Sequence, residues 1–248
     1  MNFKKLSTFS YVPYSGKPQA CVIQSVSGHF YPGVRIENIS YPLTIGRIQA
    51  AVFSCIADGE KPETLILPDE ADTGELLSYW ETTFGFTTIT DADFTFSPKN
   101  LVVKISGNIR YDHLLELCKK AVIPNSSFPV AALLQVNDGF IPGVNAETTG
   151  WELGLCAERI ALSRAISAGY GPSETGNMYI AAPMGDYVSP CGACRQVMME
   201  HIQSQRIHLY QNHTELLSVG CTDLLPYHFS SDELSKKSGK NQQSAFSE

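Results

Sequence analysis

Cysteine and glutamate residues in the second half of the chain have the types and the spacing needed for metal chemistry. Cys191 and Cys194 form a Cys-Gly-Ala-Cys motif at the start of a predicted helix, and such motifs serve redox dithiols, structural zinc and catalytic zinc alike. Cys156 lies two residues before Glu158 at the start of another predicted helix. Three thiolates satisfy the rule for a catalytic zinc, which has three protein ligands and one position open to water. Glu158 is then not needed as a ligand and is available for proton transfer.

The predicted positions of these cysteines favour their ionised form. Helix N-termini present free N–H groups and the positive end of the helix dipole, and both favour thiolate over thiol. Three thiolates give a Zn²⁺ site a net negative charge, which weakens the pull of the ion on bound water. Arg159 and Arg195 directly follow Glu158 and Cys194, and we expect them to offset this charge by donating to the sulfurs.

Two other interpretations of the cysteine motif explain less of the sequence. A redox pair at Cys191 and Cys194 leaves Cys156 and Glu158 unexplained. A purely structural zinc normally has a fourth protein ligand, yet the histidine nearest to the motif is His201, about two turns along the predicted helix. The remaining cysteines are expected to be small buried hydrophobic residues; they are Cys21, Cys55, Cys118 and Cys221.

The sequence contains an internal repeat. Shifting the chain by 110 residues aligns 30–59 with 140–169 and gives nine identities in thirty positions, where about two are expected by chance. The alternative is coincidence between two stretches that each have a glycine turn and a helix. We predict a tandem duplication, in which a first repeat (1–95) and a second repeat (109–230) are joined by a connector or strand (96–108) and followed by a polar tail (231–248).

The first repeat lacks the residues needed for the metal site. At the same offset, Gly46, Arg47 and Ile48 stand where the second repeat has its cysteine, alanine and glutamate. No cysteine occurs between Cys55 and Cys118, so the first repeat has no equivalent of the Cys-Gly-Ala-Cys motif. We therefore predict a metal-free first repeat with a structural role, and one zinc per chain.

The second repeat alternates predicted helices and short apolar strands. We predict helices over 111–121, 155–168 and 192–205, and strands over 130–136, 139–144, 178–182, 207–211 and 217–221. This alternation is typical of a layered α/β domain with a mixed sheet. The duplication then implies two α/β domains of this kind in tandem.

Composition limits the classes of function. The chain has 248 residues, is 43% hydrophobic and 17% charged, and carries a formal net charge of −7, as expected for a globular protein with a core. No apolar run is long enough to span a membrane, and the start of the chain does not resemble a secretory signal. Seven cysteines, an odd number, favour reduced thiols and a cytoplasmic location over a disulfide framework. The acidic balance favours a small-molecule substrate over a nucleic acid.

Motifs along nearly the whole second repeat resemble the cytidine deaminases that act on free nucleosides, in their three-cysteine variant. The matching segments are PNSSFPVAALL, GVNAET, LCAERIALSRAISAG, SPCGACRQ and LLPYHF. The resemblance implies two three-layer α-β-α domains, each with a mixed sheet of about five strands, the first repeat being degenerate. It also implies hydrolysis of cytidine and deoxycytidine to uridine and deoxyuridine plus ammonia, in pyrimidine salvage. In that reaction zinc-bound hydroxide attacks C4 of the base, and Glu158 carries the protons.

The resemblance also implies roles for residues that contact the substrate. Asn145 and Glu147 fall in the ribose-binding stretch of the family, and Phe128 falls on its base-stacking position. Ser189 and Ala157 would offer backbone groups to the pyrimidine. Phe229 matches an aromatic residue that lines a neighbouring site. The sequence departs from the family pattern at Asn125, Ala131 and Trp151, and Trp151 places the preferred substrate in question.

Family members assemble from four equivalent domains, so a chain with two such domains is expected to form a homodimer. The first repeat keeps a segment similar to the nucleoside loop of the family, and its Tyr41 is a candidate to reach a catalytic pocket across an interface. Two alternative functions remain open at this point. One is deamination of another aminopyrimidine or an antibiotic nucleoside, and the other is a catalytically silent, zinc-stabilised binding protein.

Overall fold

Helices and strands alternate along both repeats of the computed structural model, which describes residues 1–69, 76–212 and 215–230. The predicted polar tail, 231–248, lies outside the described residues. The elements of the first repeat are α1 (Phe3–Ser7), β1 (Ala20–Ser25), β2 (Phe30–Val34), α2 (Arg47–Ala57), β3 (Pro62–Leu67), α3 (Leu77–Phe84) and β4 (Thr87–Thr90). Those of the second repeat are α4 (Tyr111–Cys118), β5 (Ala131–Val136), β6 (Gly139–Val144), α5 (Ala157–Ser167), β7 (Thr175–Ala181), α6 (Gly192–His201), β8 (Arg206–Gln211), β9 (Glu215–Gly220) and α7 (Cys221–Leu224).

Each repeat is built on its own mixed β-sheet. The strand orders are β2-β1-β3-β4 in the first repeat and β6-β5-β7-β8-β9 in the second. Both sheets begin with an antiparallel hairpin, β1–β2 or β5–β6, and both contain one parallel pair, β3–β4 or β7–β8. The predicted fold class is confirmed. The described residues of the first repeat form a sheet of four strands rather than about five, because β4 has no following strand that corresponds to β9.

The 110-residue offset is preserved in three dimensions. Helix α2 has its N-cap at Gly46 and helix α5 has its N-cap at Cys156. In the first repeat, a Cβ at Gly33 would lie 2.5 Å from the backbone N of Ala51; in the second, a Cβ at Gly143 would lie 2.5 Å from the backbone N of Ala161. Neither glycine can carry a side chain without moving the helix, which explains why both repeats keep the same glycine and alanine.

A glutamate closes the same turn in each repeat. The Glu37 carboxylate accepts hydrogen bonds from the backbone N–H groups of Tyr14 and Ser15, at 3.1 and 3.0 Å. In the second repeat, the Glu147 carboxylate accepts from the N–H groups that follow Pro124 at positions 125 and 126, at 2.9 and 3.1 Å. The two turns are 111 residues apart, so the repeats align in this region with one residue of slippage.

The two repeats pack against each other through helices α2 and α5, and each of these helices also contacts the sheet of the other repeat. Arg164 of α5 is fully buried at this interface. Its guanidinium donates to the Asp58 carboxylate of the first repeat and to the Pro142 carbonyl of its own repeat. Asp58 also accepts a hydrogen bond from the Tyr31 hydroxyl at 3.1 Å. A buried charge pair therefore joins the repeats.

The connector follows the outer edges of both sheets without forming a regular strand. Lys99 N donates to Phe30 O of β2 at 2.9 Å, and Val103 N donates to Phe140 O of β6 at 2.9 Å. Leu101, between these contacts, is buried. The limits of the two predicted domains stay a prediction, since the connector belongs equally to both sheets.

Several predicted elements have different ends in the structure. The predicted helix over 192–205 ends at His201, because Ile202 leaves helical geometry at φ −137° and ψ 36°. The predicted helix over 155–168 begins two residues later, because Cys156 is an extended N-cap. It stops where predicted, before Gly169 at φ +97°, a conformation that favours glycine. Among the described residues, the helices are all too short or too polar to cross a membrane.

Candidate metal centre and active site

Three cysteine sulfurs meet where helices α5 and α6 begin. Cys156 is the N-cap of α5, Cys191 is the N-cap of α6, and Cys194 lies in the first turn of α6. Their Sγ atoms are 3.7 Å apart between Cys156 and Cys191 and 3.6 Å apart between Cys191 and Cys194, and all three lie within 4.8 Å of one another. Tetrahedral zinc with Zn–S bonds of about 2.3 Å places neighbouring sulfurs about 3.8 Å apart. The donor type and the spacing both fit zinc.

The sulfurs of this cluster share hydrogen bonds that decide which of them ionises first. The Cys156 and Cys194 thiols, followed by the backbone N–H groups at the start of α6, lower the pKa of Cys191. The contact with Cys191 raises the pKa of Cys156, and burial adds to this effect, although the contact with Cys194 acts in the opposite direction. Both sulfur contacts and burial raise the pKa of Cys194. One negative charge is thus favoured on the cluster by itself. A bound dication reverses the trend for the other two thiols, since a coordinating thiol is deprotonated by the ion.

Glu158 lies in the first turn of α5 beside the sulfur cluster, and its relative exposure is 5%. Burial raises the pKa of its carboxyl to about 7, although hydrogen bonds from its own backbone and from Cys194 act in the opposite direction. The hydrogen bond to Cys194 places this carboxyl beside the sulfurs that would hold a metal ion.

A cavity of about 520 Å³ opens over the cluster. Cys156, Cys191 and Glu158 form part of its lining, and so do four of the residues that sequence comparison predicts to contact the substrate: Phe128, Asn145, Glu147 and Ser189. Ala157, a fifth such residue, is fully buried in α5. Phe229 lines a second, smaller cavity with Ile39 and Glu200. The structure thus brings together most of the predicted site, and the roles of these residues stay predictions.

Asn145 and Glu147 also hold the cavity wall together. The Asn145 side chain accepts from Val130 N at 2.8 Å and donates to Phe128 O at 2.9 Å. Glu147 closes the turn described above. A primary amide has two N–H donors and two acceptor lone pairs, so Asn145 keeps hydrogen-bonding capacity for a ligand while it fixes the position of Phe128.

The two arginines make contacts that differ from the expected ones. Arg195 donates to the Pro190 carbonyl at 2.8 Å and to the Ser189 hydroxyl at 2.7 Å. Arg159 donates to the Leu43 carbonyl of the first repeat at 3.0 Å. Both side chains thus bond to oxygen atoms in this structure, and their expected contacts with metal-bound thiolates stay a prediction. Arg195 holds the segment that leads into the Cys-Gly-Ala-Cys motif, and Arg159 acts on Glu158 by lowering its pKa electrostatically, behind the larger effect of burial.

Some residues around the cavity escaped sequence reasoning. Tyr187 lines it, but the loop that carries Tyr187 has no periodic pattern to mark it. Two side chains of the first repeat, Gln49 and Tyr79, bond to the backbone next to the cavity, at Leu153 O and Gly150 N. Gln49 could have been noticed, because the 110-residue offset pairs it with Arg159. Nothing in the sequence marks Tyr79.

The fold and the site define a zinc-dependent hydrolase of the α/β class, with one zinc-binding cluster among the described residues, in the second repeat. The family model described as "Cytidine and deoxycytidylate deaminase zinc-binding region" matches residues 110–210, and a second model with the same description matches residues 5–67. Zn²⁺ is accordingly the cofactor of the C-terminal repeat.

Individual relatives agree with the family models. Cytidine deaminase of Sporosarcina psychrophila is 36% identical over 119 residues, which are 47% of this chain and 86% of that protein. Cytidine deaminase of Halalkalibacterium halodurans is 34% identical over 116 residues, which are 46% of this chain and 86% of that protein. A crystal structure of cytidine deaminase from Burkholderia pseudomallei is 36% identical, covers 49% of this chain and all of that one, and has a TM-score of 0.44. The chain belongs to the cytidine deaminase family, as a tandem duplication.

Proposed function

We propose that this protein hydrolyses cytidine and deoxycytidine to uridine and deoxyuridine, with release of ammonia, as a cytoplasmic enzyme of pyrimidine salvage. The main observation in support is that two cysteines of the three-sulfur cluster, Cys156 and Cys191, and the buried Glu158 line one cavity of about 520 Å³. Phe128, Asn145 and Glu147 line the same cavity. The volume suits a nucleoside, since small-molecule sites commonly enclose about 300–1,000 Å³. The named relatives are cytidine deaminases.

In the proposed reaction, Glu158 moves protons. Bound Zn²⁺ supplies Lewis acidity that makes water a good nucleophile at neutral pH. Glu158 accepts a proton from the attacking water and delivers it to ring N3, which makes C4 electrophilic. The water oxygen adds at C4, and Glu158 passes the second water proton to the amino group, which leaves as ammonia. One water is consumed for each ammonia released, and the carboxylate is regenerated.

The lining residues would orient the nucleoside for this attack. Phe128 offers an aromatic face to the base, and Asn145 and Glu147 offer polar atoms to the sugar. Ser189, held by Arg195, lines the cavity beside the cysteine motif and would offer a backbone group to the pyrimidine. Contacts with the sugar, remote from C4, raise the rate only by fixing the reacting atom in place. A base without its sugar should therefore be a poor substrate.

The decisive measurement is zinc content and cytidine turnover on the same zinc-loaded sample. Glu158→Gln should keep its zinc and its fold and lose at least ~10²-fold in turnover, the lower end of what general acid–base catalysis contributes. Glu116→Gln is the matched control, because the Glu116 side chain is 68% exposed on α4 and pairs with Lys119. Near wild-type turnover in Glu158→Gln would reject the mechanism. Turnover of free cytosine in preference to cytidine and deoxycytidine would reject the nucleoside assignment.

The same proposal includes a homodimer. Tyr41 is 85% exposed and Trp151 is 65% exposed at corresponding positions of the two repeats, and exposed aromatic residues are enriched at protein interfaces. In such a dimer Tyr41 would reach the active site of the second chain. Light scattering that gives a monomer at micromolar concentration would remove the dimer. Unchanged catalytic efficiency in Tyr41→Ala would remove the contribution of Tyr41.

A further inference from the structure

The backbone segment at 150–153 leads from the Glu147 turn to the metal ligand Cys156, and side chains of the first repeat hold both of its ends. We propose that Tyr79 and Gln49 are positioning residues for substrate binding, and that the first repeat keeps this task although its described residues form no metal-binding cluster. This inference rests on the proposed function for its kinetic readout, but its structural readout is independent of any substrate.

Tyr79 holds the start of the segment. Its hydroxyl oxygen accepts a hydrogen bond from Gly150 N at 2.8 Å and lies 3.4 Å from the Thr149 hydroxyl. Burial raises the pKa of Tyr79, but the hydrogen bonds from this loop outweigh it and leave the pKa lowered. The ring is itself anchored, because it packs edge-on against Trp80, at 5.4 Å between centroids, and Trp80 packs edge-on against Phe53 in the core of the first repeat.

Gln49 holds the end of the segment. Its Nε2 donates to Leu153 O at 2.8 Å. The contact has a counterpart in the opposite direction, since Arg159 donates to Leu43 O at 3.0 Å. The two contacts have different consequences. Leu43 leads to Gly46, where the first repeat has no ligand, whereas Leu153 leads to Cys156.

The held segment contributes directly to the cavity. Trp151 of the segment and Gly154, which directly follows it, belong to the cavity lining, so a displacement of the segment moves the wall against which a substrate would lie. Glycine at position 150 leaves room for this hydrogen bond, because a Cβ there would lie 3.1 Å from the Tyr79 hydroxyl oxygen. Cys156 is fixed as the N-cap of α5, and Cys191 and Cys194 are placed at the start of α6, so none of the three sulfurs belongs to the held segment. Loss of the anchors should therefore weaken binding more than it slows the chemical step.

The test compares Tyr79→Phe with the zinc-loaded wild-type enzyme. Tyr79→Phe removes one oxygen and should raise KM for cytidine between about twofold and tenfold, as expected for one hydrogen bond, with kcat changed less than about twofold and zinc content unchanged. Hydrogen exchange in peptides that cover 148–153 should accelerate by a similar factor. Gln49→Leu should shift both quantities in the same direction. Tyr170→Phe is the matched control, because its hydroxyl bonds to Asp138 at 3.2 Å, outside the cavity lining, and it should change neither quantity.

Each measured outcome either supports or overturns the positioning role of Tyr79 and Gln49. Wild-type KM and wild-type exchange in Tyr79→Phe would overturn the inference, and so would a loss confined to kcat. If the wild-type enzyme fails to deaminate cytidine, the proposed function fails. The exchange comparison then decides the positioning role alone, because it requires no substrate. If Tyr79→Phe does not fold, Gln49→Leu carries the same two readouts at the other end of the segment.

Discussion

Removing the buried charge pair between the repeats should reveal how strongly they depend on each other. Arg164 is fully buried and bonds to Asp58 of the other repeat, whose side chain is 19% exposed. Arg164→Met removes the guanidinium and keeps an adaptable apolar side chain in place of the arginine stem. It leaves the Asp58 carboxylate with partial access to water and with the hydrogen bond from Tyr31.

The loss in free energy of unfolding depends on which charged residue of the pair stays in the buried site. Breaking a buried ion pair by removing one partner costs about 3–5 kcal/mol. Arg164→Met should lie near 3 kcal/mol, because the remaining carboxylate is partly hydrated. Asp58→Asn should cost more, near 5 kcal/mol, because it leaves a guanidinium with no exposure at all. The double variant should cost clearly less than the sum of the two, since it leaves no unpaired buried charge.

Urea unfolding of the zinc-loaded protein at pH 7 measures these free energies of unfolding. Arg206→Met is the control, because Arg206 bonds to Ser218 on an exposed strand, and it should stay within about 0.5 kcal/mol of wild type. If both single variants at the buried pair fall within 1 kcal/mol of wild type, or if Arg164→Met proves the costlier of the two, the reasoning from burial is refuted.

Two further predictions concern pH and packing. Burial raises the pKa of Glu60, but hydrogen bonds from Ser25, Ser27 and His29 outweigh it and lower the pKa to about 2. A carboxyl whose pKa is lower in the folded state stabilises the protein above its unfolded pKa of about 4.3, and this stabilisation is lost as pH falls toward 2. Glu60→Gln should therefore reduce the fall in the free energy of unfolding that urea titrations measure between pH 5 and pH 2. An unchanged slope would count against the assignment. Gly143→Ala places a Cβ 2.5 Å from Ala161 N and should lower the free energy of unfolding by about 3 kcal/mol in the same assay. Gly192→Ala is the control, because a Cβ there has no atom within 4 Å, and it should be nearly neutral. Equal values for the two variants would contradict the packing argument.

The parts of the molecule that follow local rules are predictable from the sequence. The zinc assignment is confirmed because three sulfurs of the right type occur at helix starts, and helix starts are marked by short-range patterns. The duplication is visible because Gly33 and Gly143 face the same steric demand. The turn at Asn137 and Asp138 forms between β5 and β6, as the hairpin pattern predicts.

Contacts between elements are less predictable. Arg159 could have bonded to a sulfur or to a carbonyl, and only the packing of α2 against α5 brings Leu43 O within reach. Tyr79 is one aromatic residue among many until α3 is placed beside the loop at Gly150. The end of α6 at His201 is likewise set by tertiary structure, because the residues that follow have no helix-stopping glycine or proline before Arg206.

The connector has a consequence for association between molecules. Strands β2 and β6 are the outermost strands at one side of their sheets, and an uncovered outer strand is a template for pairing with foreign strands. Lys99 and Val103 occupy backbone groups of Phe30 and Phe140 along these rims. The stretch of chain that joins the repeats thereby covers one edge of each sheet at these positions, so cutting it should open two strand edges to intermolecular pairing at once.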